Sequence, residues 1–95
     1  TAFAATQSDE NLKTNIKTIT DALKKIEQID GKTFTFIGGP ESGGVIAQDV
    51  EKVMPDIVGE RDGFKTVDYN AIIGLLVNAV KELARKAEQN GKTNT

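Results

Sequence analysis

The sequence predicts an α+β fold: a small, mainly helical domain with a short β-sheet and a long C-terminal helix. Three observations point there. Apolar residues recur at Leu12, Ile16, Ile19, Leu23 and Ile26, with spacings of four, three, four and three, which is one stripe along a helix. A second stripe, Ile73, Leu76, Val80, Leu83 and Ala87, has spacings of three, four, three and four, the seam of a heptad repeat. Between the stripes, Lys32–Ile37 and Phe64–Val67 alternate polar and apolar side chains, the period of a strand.

Taken in order, residues 1–7 lack a clear period and read as an incoming linker or strand. The first helix has Ser8 or Asp9 as its natural N-cap and Asp30-Gly31 as its exit. The strand that follows places Phe34 and Phe36 on its buried face. Gly38 to Gly44 forms a flexible, hairpin-like connection, with Val45-Ile46 as a short returning strand. Ala47, Val50, Val53 and Met54 suit a short helix that Pro55 helps to end. Gly59 to Gly63 reads as a polar turn before the strand at Phe64–Val67. Asp68 caps a last helix from about Tyr69 to Asn90, with Gly91 as its stop. Gly74 inside that helix costs roughly 0.5–1 kcal/mol relative to Ala, so close packing is expected to compensate. The tail, residues 92–95, reads as disordered. Glu82, Arg85, Lys86 and Glu88 flank the second stripe as charges flank a coiled-coil seam. Each stripe can be core within one chain or a seam between chains, and periodicity leaves both open.

Composition bounds the function. A chain of 95 residues, 38% hydrophobic and 5% aromatic, makes one domain with a modest aliphatic core, and a partner chain would add buried surface. A net charge of −2 with acids and bases interspersed suggests neither nucleic acid nor a membrane surface as partner. The longest apolar stretch, Ala71–Val77, is far too short to span a bilayer, and the N-terminus lacks the pattern of a signal peptide. With no Cys there is no disulfide framework, which fits folding in a reducing cytoplasm. Lacking an initial Met, the chain reads as part of something longer.

No cofactor or metal is expected. Transition-metal sites have no His or Cys to use, and Asp56, Glu60 and Asp62 lack the ligand pattern of a calcium loop. Gly31-Lys32-Thr33 and Gly91-Lys92-Thr93 lack the earlier glycine of a phosphate-binding loop, so both read as turns.

The absence of His and Cys also removes Ser-His, Cys-His and thiolate catalysis. What remains for covalent chemistry is a hydroxyl activated by a neutral amine, and Ser8 and Lys13 are the candidates. On an ideal helix, five residues leave two side chains ~140° apart, so the pair cannot meet there. It can meet if Ser8 precedes the first turn on extended backbone and Lys13 reaches back. The plain alternative is a capping serine beside a solvated lysine.

Three ordered blocks bear on that choice. The first is Ser8-Asp9-x-x-Leu12-Lys13-x-Asn15-Ile16 with Asp21-Ala22-Leu23 and the Gly31-to-Phe36 strand. The second is Gly44-Val45-Ile46-Ala47-Gln48-Asp49-Val50-Glu51 with Pro55 and Val58. The third is Asp62-Gly63-Phe64-Lys65-Thr66-Val67-Asp68-Tyr69-Asn70, leading to Ala79-Val80-Lys81-Glu82-Leu83. Together, over about residues 8 to 84, they resemble the endosialidase-type intramolecular chaperone. That family is the self-processing C-terminal domain of phage tailspikes and tail fibres, found also in myelin regulatory factor-like proteins. The chain departs from the pattern at Asn11, where many members carry Arg, and at Ser42-Gly43, where many carry a nearby His.

The resemblance implies an α+β domain at residues 8–91 that assembles as a homotrimer, with Ile73, Leu76, Val80, Leu83 and Ala87 at the interface. It implies that the domain helps the upstream fibre of the same chain to fold and then cuts itself off. Ser8 is then the nucleophile, Lys13 the base and Gln7–Ser8 the bond cut, with residues 1–7 the end of the upstream fibre. The precursor would be made in the host cytoplasm as part of a virion tail fibre. A lysine base must lose its proton, which burial or a neighbouring positive charge such as Lys17 favours. Two other readings stay open: a trimeric clamp of the same fold that never cleaves, and a receptor-binding fibre tip.

Overall fold

The computed structural model of the chain describes residues 5–93. An exposed arm comes first, residues 5–18, whose only regular element is a 3-10 turn at Glu10–Leu12. Helix α1 follows at Ala22–Ile26, then the hairpin β1 (Lys32–Thr35) and β2 (Glu41–Gly44), then α2 (Ala47–Val53). A 3-10 turn at Pro55–Ile57 leads to a second hairpin, β3 (Val58–Arg61) and β4 (Phe64–Val67), and the chain ends in α3 (Tyr69–Thr93). The fold is α+β as the sequence predicts, with the strands in two separate antiparallel hairpins.

The first stripe is not one helix. Only Ala22–Ile26 is α-helical, and residues 13–20 are irregular. Five of the seven residues from 14 to 20 are Thr or Ile, whose branched Cβ disfavours helix. Asn15 and Asp21 both adopt φ 54°, the left-handed region that Asn and Asp tolerate best and that ends a right-handed helix. The exit expected at Asp30-Gly31 falls outside any helix, since α1 already closes at Glu27.

The strands also differ in extent. The returning strand is Glu41–Gly44, inside the glycine-rich segment, rather than Val45-Ile46. It pairs Lys32 with Gly44 and Thr35 with Glu41, so backbone pairing overrides the weak strand propensity of Ser and Gly. Phe36 lies beyond β1 and is 56% exposed, packing edge-on to Phe34 at 5.2 Å rather than into a core. Gly59, Glu60 and Arg61, expected in a turn, form most of β3. The turn itself is Asp62-Gly63, with φ 54° and 84°, the conformation that Asp-Gly supplies in two-residue hairpins.

The last helix agrees with expectation at its start. Asp68 Oδ1 accepts the Ala71 N–H at 3.2 Å, an N-cap bond. At its end α3 runs through Gly91 to Thr93, so Gly91 is not its stop; the remainder of the expected tail, residues 94–95, lies outside the described residues, as do residues 1–4 of the expected upstream segment. A Cβ on Gly74 would sit 3.6 Å from Ile19 Cδ1, an ordinary contact. Close packing therefore does not require glycine there.

The core lies between α1 and α3. Ala22, Leu75 and Ala79 are buried, and Ile19, Leu23, Ile26, Ile29 and Met54 pack on them. α3 thus buries the face carrying Ile72, Leu75 and Ala79, one step round from the heptad seam. Val50 of α2 is also fully buried, with α2 against the second hairpin. The Lys65–Glu51 ion pair at 3.0 Å joins that hairpin to α2; both side chains are part-exposed, which makes it a weak stabiliser. Tyr69 ties the first hairpin to α3: its Oη accepts the Val45 N–H at 3.3 Å.

Candidate functional site

Ser8 and Lys13 meet. Lys13 Nζ donates to Ser8 Oγ at 2.6 Å, and local backbone geometry brings this about. Asp9 is extended (φ −63°, ψ 135°) and its Oδ1 accepts the Asn11 N–H at 2.8 Å. Leu12 N–H and Lys13 N–H then donate to Asp9 O and Glu10 O, closing a single 3-10 turn. Lys13 leaves that turn extended, at φ −124° and ψ 149°. A three-residue turn between two extended residues folds the chain back on itself, so the ~140° separation of a regular helix does not arise. Asp9, not Ser8, is the cap, which leaves the Ser8 hydroxyl to Lys13. Asn11 acts here through its backbone N–H.

The pair is open to solvent. Every residue from 5 to 18 is exposed, including Leu12 at 65% and Ile16 at 67%. Lys17 lies on irregular backbone, so no helical turn sets it above Lys13. Two surface hollows among the described residues lie elsewhere. One is at the first hairpin, lined by Thr33, Phe34, Thr35, Glu41 and Ser42. The other is an apolar groove on α3, lined by Ile73, Leu76, Val77, Val80 and Lys81.

That groove holds three of the five expected seam residues, Ile73, Leu76 and Val80. Ile73, Leu76, Val80 and Leu83 are 58%, 43%, 63% and 55% exposed, and Ala87 is exposed too. The seam residues therefore face away from the core of their own chain.

Sequence reasoning missed the polar side chains that fasten residues 19–23, just after the arm, to α3. Glu82 Oε2 and Oε1 accept the Ala22 and Leu23 N–H groups at 3.0 and 3.1 Å. Asn78 Nδ2 donates to Ile19 O at 3.0 Å. The backbone N–H groups of Leu23 and Ala22, helped by Arg85 and Lys25, hold the Glu82 carboxyl below its ordinary value. The available signal was two polar residues four apart, next to Leu75 and Ala79 on one helix face.

Fold and site define a class: a small α+β domain whose projecting N-terminal arm carries a serine–lysine pair. The family model described as "chaperone of endosialidase", a peptidase-type family, matches residues 8–59, more than half of the chain. The chain belongs to that family. The match begins at Ser8 itself. Among curated proteins, the chain is similar to the long tail fiber protein Gp37 of Enterobacteria phage K3, 36% identical over 94 residues. It is equally similar to Gp37 of Enterobacteria phage T2, again 36% over 94 residues. Each alignment covers 87% of this chain but only 8% and 7% of the two relatives, so the chain spans less than a tenth of their length.

Proposed function

We propose that this chain is the C-terminal intramolecular chaperone of a phage tail fibre. It trimerises, assists folding of the fibre ahead of it, and releases itself by cutting Gln7–Ser8. The 2.6 Å contact between Lys13 Nζ and Ser8 Oγ carries the reading. Family membership, the tail-fibre relatives and the uncovered seam on α3 support it.

In the proposed reaction, neutral Lys13 takes the Ser8 hydroxyl proton and Oγ attacks the Gln7 carbonyl carbon. The tetrahedral adduct collapses, the Gln7–Ser8 peptide bond breaks, and the proton passes to the Ser8 amine. Water then hydrolyses the ester, leaving a Gln7 carboxylate and a Ser8 N-terminus. A lysine serves as base only when desolvation or a nearby cation lowers its pKa from the usual ~10.4. The arm is exposed in the single chain, so the desolvation comes from a neighbouring copy and cleavage waits for assembly. The domain is residues 8–91, and residues 1–7 belong to the fibre. The precursor is assembled in the host cytoplasm and ends as part of the virion tail.

Expression of the chain behind an upstream tag tests this. Mass spectrometry should find a fragment beginning at Ser8, absent from Ser8→Ala and from Lys13→Ala. An uncut wild-type trimer would make the domain a clamp, and binding of host-surface glycans by uncut protein would make it a fibre tip.

A further inference from the structure

We propose that Asn78 and Glu82 are positioning residues for the cut at Gln7–Ser8: they clamp the root of the arm to the seam helix and so fix where the Ser8–Lys13 pair is presented. The proposal rests on the cleavage reading above.

The argument starts at Asp21. Its left-handed backbone (φ 54°, ψ 36°) opens α1, and its side chain makes no capping bond. The first N–H groups of any helix lack partners within it. Here Glu82 supplies both partners from α3, one carboxylate oxygen to Ala22 and the other to Leu23. Bonds to an ionised carboxylate are the stronger kind. Asn78, one turn earlier on α3, holds Ile19 O just before the kink. Three hydrogen bonds from one helix face thus grip residues 19–23 on both sides of Asp21.

Upstream of this grip the arm has no regular structure from 13 to 18, and those residues are all exposed. From Ile19 back to Lys13 the chain can reach ~20 Å. Where the root is held therefore sets the region of space that the pair can reach. The same helix carries the expected seam, with Leu76 and Val80 two residues either side of Asn78 and Leu83 directly beside Glu82 in sequence. Seam packing fixes α3 against neighbouring copies, and the clamp passes that orientation to the arm. A glutamate that served only solubility would not use both oxygens on the backbone of a distant segment.

The test uses the tagged full chain as wild type, Glu82→Ala, Glu82→Gln and Asn78→Ala. Assembly mass, amide exchange at Ala22 and Leu23, and first-order cleavage are measured at a temperature where circular dichroism shows every variant folded. Glu82→Ala should remain trimeric and lose protection at both amides, and its maximal cleavage rate should fall ~10-fold or more. Its pH midpoint should not move, because the base is misplaced rather than altered. Glu82→Gln keeps one acceptor oxygen and should fall between wild type and Ala. Folded, trimeric Glu82→Ala cleaving at the wild-type rate overturns the proposal, as does unchanged exchange at Ala22 and Leu23. If Glu82→Ala fails to fold, Glu82→Gln and Asn78→Ala are judged by the same two outcomes. An uncut wild type removes the cleavage reading and this role with it. A cut wild type beside an equally cut, folded Glu82→Ala removes this role alone.

Discussion

Lys13 reaches Ser8 because Asp9 takes over the capping role that a serine in that position often fills. The contact allows a sharp test of what the lysine does. Arginine keeps the charge and much of the length but does not lose its proton. Lys13→Arg should therefore reduce self-cleavage by about 10²–10⁴-fold, read as the rate at which the Ser8 fragment appears. Near wild-type cleavage would mean that the residue is not a base. Glu82 makes a separate prediction in pH. Its folded carboxyl lies below the ordinary 4.5, so its stabilisation is complete above that value and is lost as pH falls through the folded one. The difference in melting temperature between wild type and Glu82→Gln should be steady near neutral pH and close as the solution is taken below 4.5. The absence of His and Cys made the Ser8–Lys13 pair a candidate in sequence, and the three ordered blocks of the resemblance singled it out over a capping serine beside a solvated lysine. Glu82 was not legible, because its partners are backbone groups some sixty residues away, and a backbone N–H leaves no mark in a sequence.

At the scale of elements, periodicity served where helices are long and failed where tertiary pairing or backbone conformation decides. The length of α3 and its Asp68 cap could be read directly, since the cap is local, but the face buried in the chain is Ile72, Leu75 and Ala79 and not the stripe from Ile73 to Ala87. The stripe from Leu12 to Ile26 has equally good spacing, yet its β-branched run and two left-handed residues leave only Ala22–Ile26 helical. β2 and β3 were hidden because Gly, Ser and Glu become strand only by pairing with β1 and β4. Glycine is informative at one of these joints. A Cβ on Gly44 would stand 2.5 Å from Tyr69 Oη, so a larger residue there must displace the tyrosine tip that holds Val45 N–H. Gly44→Ala should destabilise the domain by about 1–3 kcal/mol, measured by chemical denaturation. An unchanged midpoint would mean that this joint does not contribute to stability.

The whole molecule has more surface than a chain of its size normally keeps. Its accessible area is 7994 Å², against about 5,300 Å² for a compact monomer of this mass. Its radius of gyration is 16.8 Å, against about 12 Å for a compact chain of this length. The excess includes apolar side chains of the α3 seam and Leu12 and Ile16 on the arm. Packing of identical copies along α3 would bury the seam, and a copy beside the arm would desolvate the Ser8–Lys13 pair. The proposed chaperone role would follow from the same association. Fibrous trimers must align three chains through non-local contacts, which is slow, and joining their C-terminal ends raises the local concentration of the strands. Under the proposed reaction, cutting the link afterwards would make the fibre's persistence kinetic. The most direct test compares tagged wild type with a Leu76→Glu, Leu83→Glu double variant, following mass in solution and first-order release of the Ser8 fragment. The account predicts a trimeric, self-cleaving wild type and a monomeric variant that stays intact with α1 still packed on α3. A monomer that cleaves as fast as the wild type would contradict it.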